Sequence, residues 1–354
     1  MTKRINGIQQ LGVGVEELCS AFNWYRQYLG MDVRMFEEKA VAELMLPHTG
    51  GKTRERHALL ALNMEGGGGF EIWQHTGKKP EPAKELLQLG DWGINIGKLK
   101  TTNVHRAYER FKAQGLELIT KPCTDPAGRW HFYLRDPYSN SWEVMEHPFA
   151  LFPQQQQANG GVSGAVIGVK DIDESLRVYR DILGYDQLIY DQRGSFDDWQ
   201  GLPGAEGQFR RLLLTHSKLY RGSFSPFLGP SYIELIQSLD RQGRSVFEGR
   251  IWGDPGFMHL CYDINGMDEL RDEVSQKGFP FTVDSARATE SFDMGEAAGN
   301  FSYIQAPEGT LIEFVETHKI PLLKKIGWYL NLRKRGERPL PRLLLRFFGF
   351  MRVK

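Results

Sequence analysis

Four glutamates stand in the middle of apolar runs: Glu71 in FEIWQ, Glu143 in SWEVM, Glu234 in YIELI and Glu313 in LIEFV. A histidine, His259, stands in a fifth, GFMHLCYDI. An ionised carboxylate taken out of water is costly unless something compensates it. A metal ion shared by two glutamates would do so; an arginine network would serve equally. A carboxylate at a metal's edge can also move a proton, whereas a lone strand histidine has a plain reading as a hydrogen-bonded core residue. Other chemistry finds little support. Gly51-Lys52-Thr53 resembles the end of a phosphate-binding loop, but Leu46 occupies the upstream glycine position and no apolar strand leads in. There is no GxSxG motif, and Cys19, Cys123 and Cys261 show neither CxxC spacing nor a nucleophile context. Gly66 to Gly69 reads as a hairpin loop, and His75, His131 and His147 read as surface or strand-end residues.

The elements that must carry these residues are repeated. Ile8 to Met31 and Val162 to Tyr185 both read as a short apolar strand, an acidic helix start and the ending Tyr-Arg-x-x-Leu-Gly. Acidic residues suit the positive end of the helix dipole, and the glycines Gly30 and Gly184 suit its stop. Ala107 to Leu118 pairs with Leu270 to Phe281 as a second kind of helix, ending at Gly115 or Gly278. Asp136 to Glu146 aligns without gaps to Ala306 to Glu316, with Pro137 over Pro307 and Glu143 over Glu313. Each unit predicts strand, helix, then several strands. Four such units span roughly 5–80, 90–150, 160–240 and 254–320. The expected organisation is a first domain over 1–153, a linker over 154–161 (QQQQANGG), a second domain over 162–318 and a tail over 319–354.

The strand ending in Val, the helix ending Tyr-x-x-x-Leu-Gly and the strand after Asp-Pro-x-x-Asn resemble the vicinal oxygen chelate superfamily. That group includes glyoxalase I, methylmalonyl-CoA epimerase, extradiol dioxygenases and bleomycin-resistance proteins. The resemblance covers about residues 5–318. It implies an α+β fold of tandem βαβββ modules forming cupped mixed sheets, with a divalent metal held inside a pair of modules. Each module can supply a ligand from its first strand and a glutamate from its last. Carried onto this chain, the positions are Gln10 and Glu71, Ile96 and Glu143, Gly164 and Glu234, and His259 and Glu313. Ile96 and Gly164 offer no side-chain donor. Pairing neighbouring modules would leave one blank in each cup. Pairing the first with the fourth would gather Gln10, Glu71, His259 and Glu313 into one complete site, and concentrating the losses in the other cup is the more economical reading. Glu143 and Glu234 are then structural, or mark a metal-free cup.

A site of two neutral donors and two carboxylates suits Zn, Ni, Co, Mn or Fe. The resemblance to glyoxalase I implies a lyase or isomerase in which the metal polarises a substrate oxygen and eases formation of an enediolate. Glu313 is the expected base, with Glu71 close behind. An extradiol-type dioxygenase is the competing enzyme, and needs two histidines and one carboxylate on iron. A metal-free small-molecule binding or resistance protein is the competing non-enzyme.

Bulk properties bound the partners. Formal net charge is zero over 354 residues, which argues for no charged partner such as nucleic acid; a small-molecule substrate and a monomer or homodimer are the expectation. Scattered cysteines and the lack of a signal-like start suit the cytoplasm. The balance hides an asymmetry: from Lys319 onward there are eleven Lys or Arg and one acid, Glu337. Leucines and phenylalanines alternate with these cations, from Lys324, Lys325 and Ile326 to Phe350. From about Pro321 the tail is expected to be a basic amphipathic appendage outside the repeated fold. Either it touches an anionic membrane surface through residues 321–354, or it packs on the acidic body.

Overall fold

The structure, a computed structural model, describes residues 3–153, 157–218, 221–288, 292–293, 298–323 and 328–353. The first module comprises β1 (Arg4–Gly14), α1 (Leu18–Leu29), β2 (Val33–Val41), β3 (Glu55–Leu62) and β4 (Gly69–His75). The second comprises β5 (Gly93–Thr101), α2 (Val104–Ala113), the short β6 (Glu117–Leu118) and β7 (Cys123–Thr124), β8 (Trp130–Arg135) and β9 (Ser141–Glu146). The third runs through β10 (Val162–Gly168), α3 (Ile172–Tyr179), β11 (Gln187–Gly194), β12 (Phe209–Thr215), α4 (Ser225–Leu228) and β13 (Tyr232–Ser238). The fourth has β14 (Gly256–Asn265), α5 (Met267–Gln276), β15 (Val283–Asp284), β16 (Phe292–Asp293), β17 (Ala298–Gln305) and β18 (Leu311–Leu323). β19 (Trp328–Asn331) and α6 (Arg342–Arg346) follow. This is the α+β, cupped-sheet architecture that the repeats imply.

Local chemistry accounts for the helix ends. Glu17 caps α1 by accepting from the amides of Cys19 and Ser20, and Gly30 closes it at φ 66°. Asp171 caps α3 in the same way through Asp173 and Glu174. That helix stops at Tyr179, earlier than Gly184 predicts, and Arg180 to Leu183 continue as turns.

The sheets do not follow chain order. Among the described residues, one runs β15-β17-β18-β14-β1-β4-β3-β2 and the other β11-β12-β13-β10-β5-β9-β8-β6. The first sheet therefore joins the first and fourth modules, and the second joins the second and third. The joins are antiparallel first-strand pairs, β1 with β14 and β10 with β5. Chain neighbours meet back to back instead. The helix tyrosine of the repeat makes that contact: Tyr25 donates to Asp136 at 2.8 Å, and Tyr179 donates to Glu308 at 2.5 Å. The largest apolar cluster draws on all four modules around these contacts.

The tail corrects one expectation. It is not an appendage outside the fold, because β18 runs past residue 318 and β19 pairs back on it. Leu332, Leu340 and Leu345 are buried against Val33, Leu62 and Met64 of the first module and Phe227 and Leu228 of the third. Apolar surface drives this docking rather than charge. Arg352 lies 3.4 Å from Asp32, whereas Arg342 donates to a backbone carbonyl, that of Leu151. Lys324, Lys325 and Ile326 lie outside the described residues, as do Gln154 to Gln156 of the linker.

Candidate metal centre

The complete donor set meets in the first sheet. Gln10 is on β1, Glu71 on β4, His259 on β14 and Glu313 on β18, four adjacent strands. Gly12 pairs with both Glu71 and His259, and Cys261 pairs with Glu313. Gln10 and His259 thus hold equivalent places, each two residues before the partner of its module's last-strand glutamate. Glu71, His259 and Glu313 converge closely enough to hold one ion.

The distances suit such an ion. His259 Nε2 lies 3.1 Å from Glu71 Oε2 and 3.1 Å from Glu313 Oε2. Gln10 Nε2 lies 3.1 and 3.4 Å from the same two oxygens. Donors about 2.1 Å from a six-coordinate ion lie roughly 3 Å apart when adjacent. A half-turn of the Gln10 amide would bring its oxygen to the same place. The decisive atom is His259 Nε2. The residue is wholly buried, and this nitrogen sits 3.1 Å from a carboxylate oxygen on either side without a well-formed hydrogen bond to either. A buried imidazole nitrogen gathered with two carboxylates at this spacing is a set that a cation could take. The residues present fit the group.

Supporting residues escaped sequence reading. A Cβ on Gly12 would stand 2.4 Å from His259 Cε1, so the imidazole can lie across β1 only over glycine. Trp252 donates through Nε1 to His259 Nδ1 at 3.3 Å. Tyr303 sits edge-on to the imidazole at 5.7 Å. Burial opposes protonation of His259, but Glu313 and Glu71 hold its pKa up at about 9. Burial, and then Glu313, push the Cys261 thiol well up, so it stays a protonated core residue. Trp73, Trp252, Met45, Met258 and Leu311 make the surrounding wall apolar.

The second cup is filled by an ion network. Ile96 and Gly164 hold the vacant ligand positions, and a Cβ on Gly164 would stand 1.9 Å from the Tyr232 carbonyl oxygen. Lys98 pairs with Glu143 in the β5–β9 register. Its ammonium bonds to Glu143 and, at 2.6 Å, to Glu234. Arg211 bonds to Glu234 and, at 2.6 Å, to Asp198. His131 bridges Glu143 at 2.9 Å and Asp198 at 3.3 Å. Burial works against the His131 cation, but these acids hold its pKa well above normal. Three cations thus meet three carboxylates, all buried. His131 is therefore no surface residue, correcting the sequence reading, and His75 is a strand end but buried too. The signal for Lys98 was available: a lysine in GINIGKLKT, at the register position opposite a core glutamate.

Family sequence models described as the Glyoxalase/Bleomycin resistance protein/Dioxygenase superfamily match residues 7–144 and 165–296. The chain belongs to this superfamily. No curated protein sequence matches it. Among solved structures, glyoxalase I from Zea mays is 11% identical over 89% of this chain and 92% of its own, with a TM-score of 0.54. A candidate dioxygenase from Bacillus subtilis is 14% identical over 100% of this chain and 98% of its own, with a TM-score of 0.53. At such identities the likeness is one of fold, and other superfamily structures match as well.

Proposed function

We propose that the chain is a metal-dependent lyase or isomerase that moves a proton on the carbon next to a chelated carbonyl or enediolate. One observation supports this reading: Gln10, Glu71, His259 and Glu313, from four adjacent strands, bring their N/O donors together around one point, with the histidine nitrogen wholly buried. Gln10, Glu71, His259 and Glu313 would hold the ion. When bound, it would polarise a substrate oxygen and stabilise charge developing there. Glu313 is the base, taking the proton from the substrate carbon and returning it to a neighbouring position. Glu71 faces it across the site and is placed to share that shuttle. Trp252 orients the imidazole, and the apolar wall keeps water from quenching the intermediate. A single histidine in the donor set argues against a two-histidine iron triad.

The test uses the full-length protein. Elemental analysis should find one divalent ion per chain. A small hydroxamate, a bidentate mimic of an enediolate, should bind the loaded protein and not the chelated one. Metal-free protein that resists reconstitution, or hydroxamate binding indifferent to metal, would turn the assignment toward a binding protein.

A further inference from the structure

The docked tail leaves a second apolar face uncovered. From Leu340 through α6 and the 3-10 turn that follows, Leu340, Leu344, Leu345, Phe348 and Met351 face the body. Leu343, Phe347 and Phe350 face outward, 69%, 52% and 83% exposed, spaced one per turn. The rings of Phe347 and Phe350 lie 5.5 Å apart, so the three form one ridge. Isolated exposed hydrophobics are ordinary, but a cluster of three on one short segment is a contact surface. The same segment is cationic: Arg338, Arg342 and Arg346, interleaved with the ridge in sequence, are all exposed. The tail's one acid, Glu337, is engaged by Arg4 at 3.2 Å.

We propose that this ridge is a peripheral docking surface for an anionic lipid bilayer. Large apolar side chains on a segment that also carries exposed arginines match an interface whose acyl region begins just below a layer of negative headgroups. Charge complementarity selects this occupant over a second copy meeting ridge to ridge, which would set two cationic segments against each other. No described helix is long and apolar enough to cross a membrane, so the contact is superficial. The tail stays docked while it binds, since the leucines holding it are not the residues that insert. The surface operates whether or not the metal centre is loaded.

Co-sedimentation with phosphatidylcholine vesicles, with and without phosphatidylserine, tests this at physiological salt. Wild-type protein should sediment with the phosphatidylserine vesicles only. Leu343→Ser/Phe347→Ser/Phe350→Ser should lower partitioning roughly a hundredfold, as expected for losing three partly inserted side chains. Its thermal midpoint should hold, because none of the three is buried. Arg338→Gln/Arg346→Gln should lower partitioning roughly tenfold, with the difference shrinking at high salt. This variant decides the matter independently if the triple variant misfolds. Wild-type protein left in the supernatant, or sedimentation equal for all variants, overturns the proposal. So does a wild-type dimer that the triple variant converts to monomer, which would make the ridge a protein interface.

Discussion

His259 illustrates how much a single side chain depends on its neighbours. Sequence reading singles it out because it is a histidine in an apolar strand at a repeat position, but its usefulness as a ligand needs Gly12 beneath it and Trp252 behind it. His259→Ala should weaken metal binding at least tenfold, measured by competition with a chromophoric chelator. Gly12→Ala should weaken it by roughly ten- to hundredfold, the range for disturbed ligand support, because the added Cβ would stand 2.6 Å from His259 Nδ1 and 2.7 Å from Nε2 and push the ring from its seat. Unchanged affinity in Gly12→Ala would mean that the imidazole finds another seat. Glu313→Gln should keep both fold and ion, since an amide oxygen can still ligate, while losing turnover because it cannot accept a proton. Full activity in that variant would remove Glu313 from the base role.

At the level of elements, β5 and β1 are the same strand in two repeats, yet they do opposite things. β1 places glycine opposite its glutamate and leaves room for the His259 imidazole; β5 places Lys98 there and fills the room with an ammonium. Replacing Lys98 with Met should cost roughly 3–5 kcal/mol in urea denaturation, the usual result of stripping one partner from a buried pair. Glu143→Gln should also destabilise, while leaving metal content at its wild-type value. Loss of the ion in that variant would tie the two cups together. The tail is an element of the fold in the same sense. A chain ending at Ile320 removes Leu332, Leu340 and Leu345, each almost fully buried. Each such side chain contributes roughly 1.5–3 kcal/mol, so calorimetry should find a markedly lower thermal midpoint.

For the whole molecule, the junction between the modules carries a pH dependence. Lys100 is buried there, donating to the carbonyls of Phe149 at 2.7 Å and Glu65 at 3.2 Å. Burial lowers its pKa to about 7, only partly offset by the Glu65 carboxylate. The unfolded chain keeps a lysine near 10.5, so between about 7 and 10.5 the unfolded state binds the extra proton. Stability contributed by this group therefore rises with pH through that window, by a few kcal/mol at most. Lys100→Met should abolish that rise relative to wild type in urea titrations across the range. A parallel pH profile for the two proteins would place the lysine's charge in solvent.

Residue pattern alone determined the repeat and its element order, because strand alternation and helix stops are local and read directly along the chain. Gln10, Glu71, His259 and Glu313, and the blanks at Ile96 and Gly164, were legible through the resemblance to the superfamily, which implies where in each repeat a donor stands. Which modules share a sheet was decided only in three dimensions. The β1–β14 pairing joins residues some 250 positions apart, and no local preference distinguishes it from pairing with a chain neighbour. The ion network around Lys98 and Arg211 is likewise tertiary, since its members come from five strands and a 3-10 turn and mean nothing singly. The tail's placement also depended on the body: its leucines signal burial, but only the apolar edge left by Val33, Leu62 and Phe227 says where. Charge on the same segment suggested a partner for the acidic body, but among the described residues Arg333, Arg338, Arg342 and Arg346 are exposed, as expected where burying an arginine would cost more than it returned.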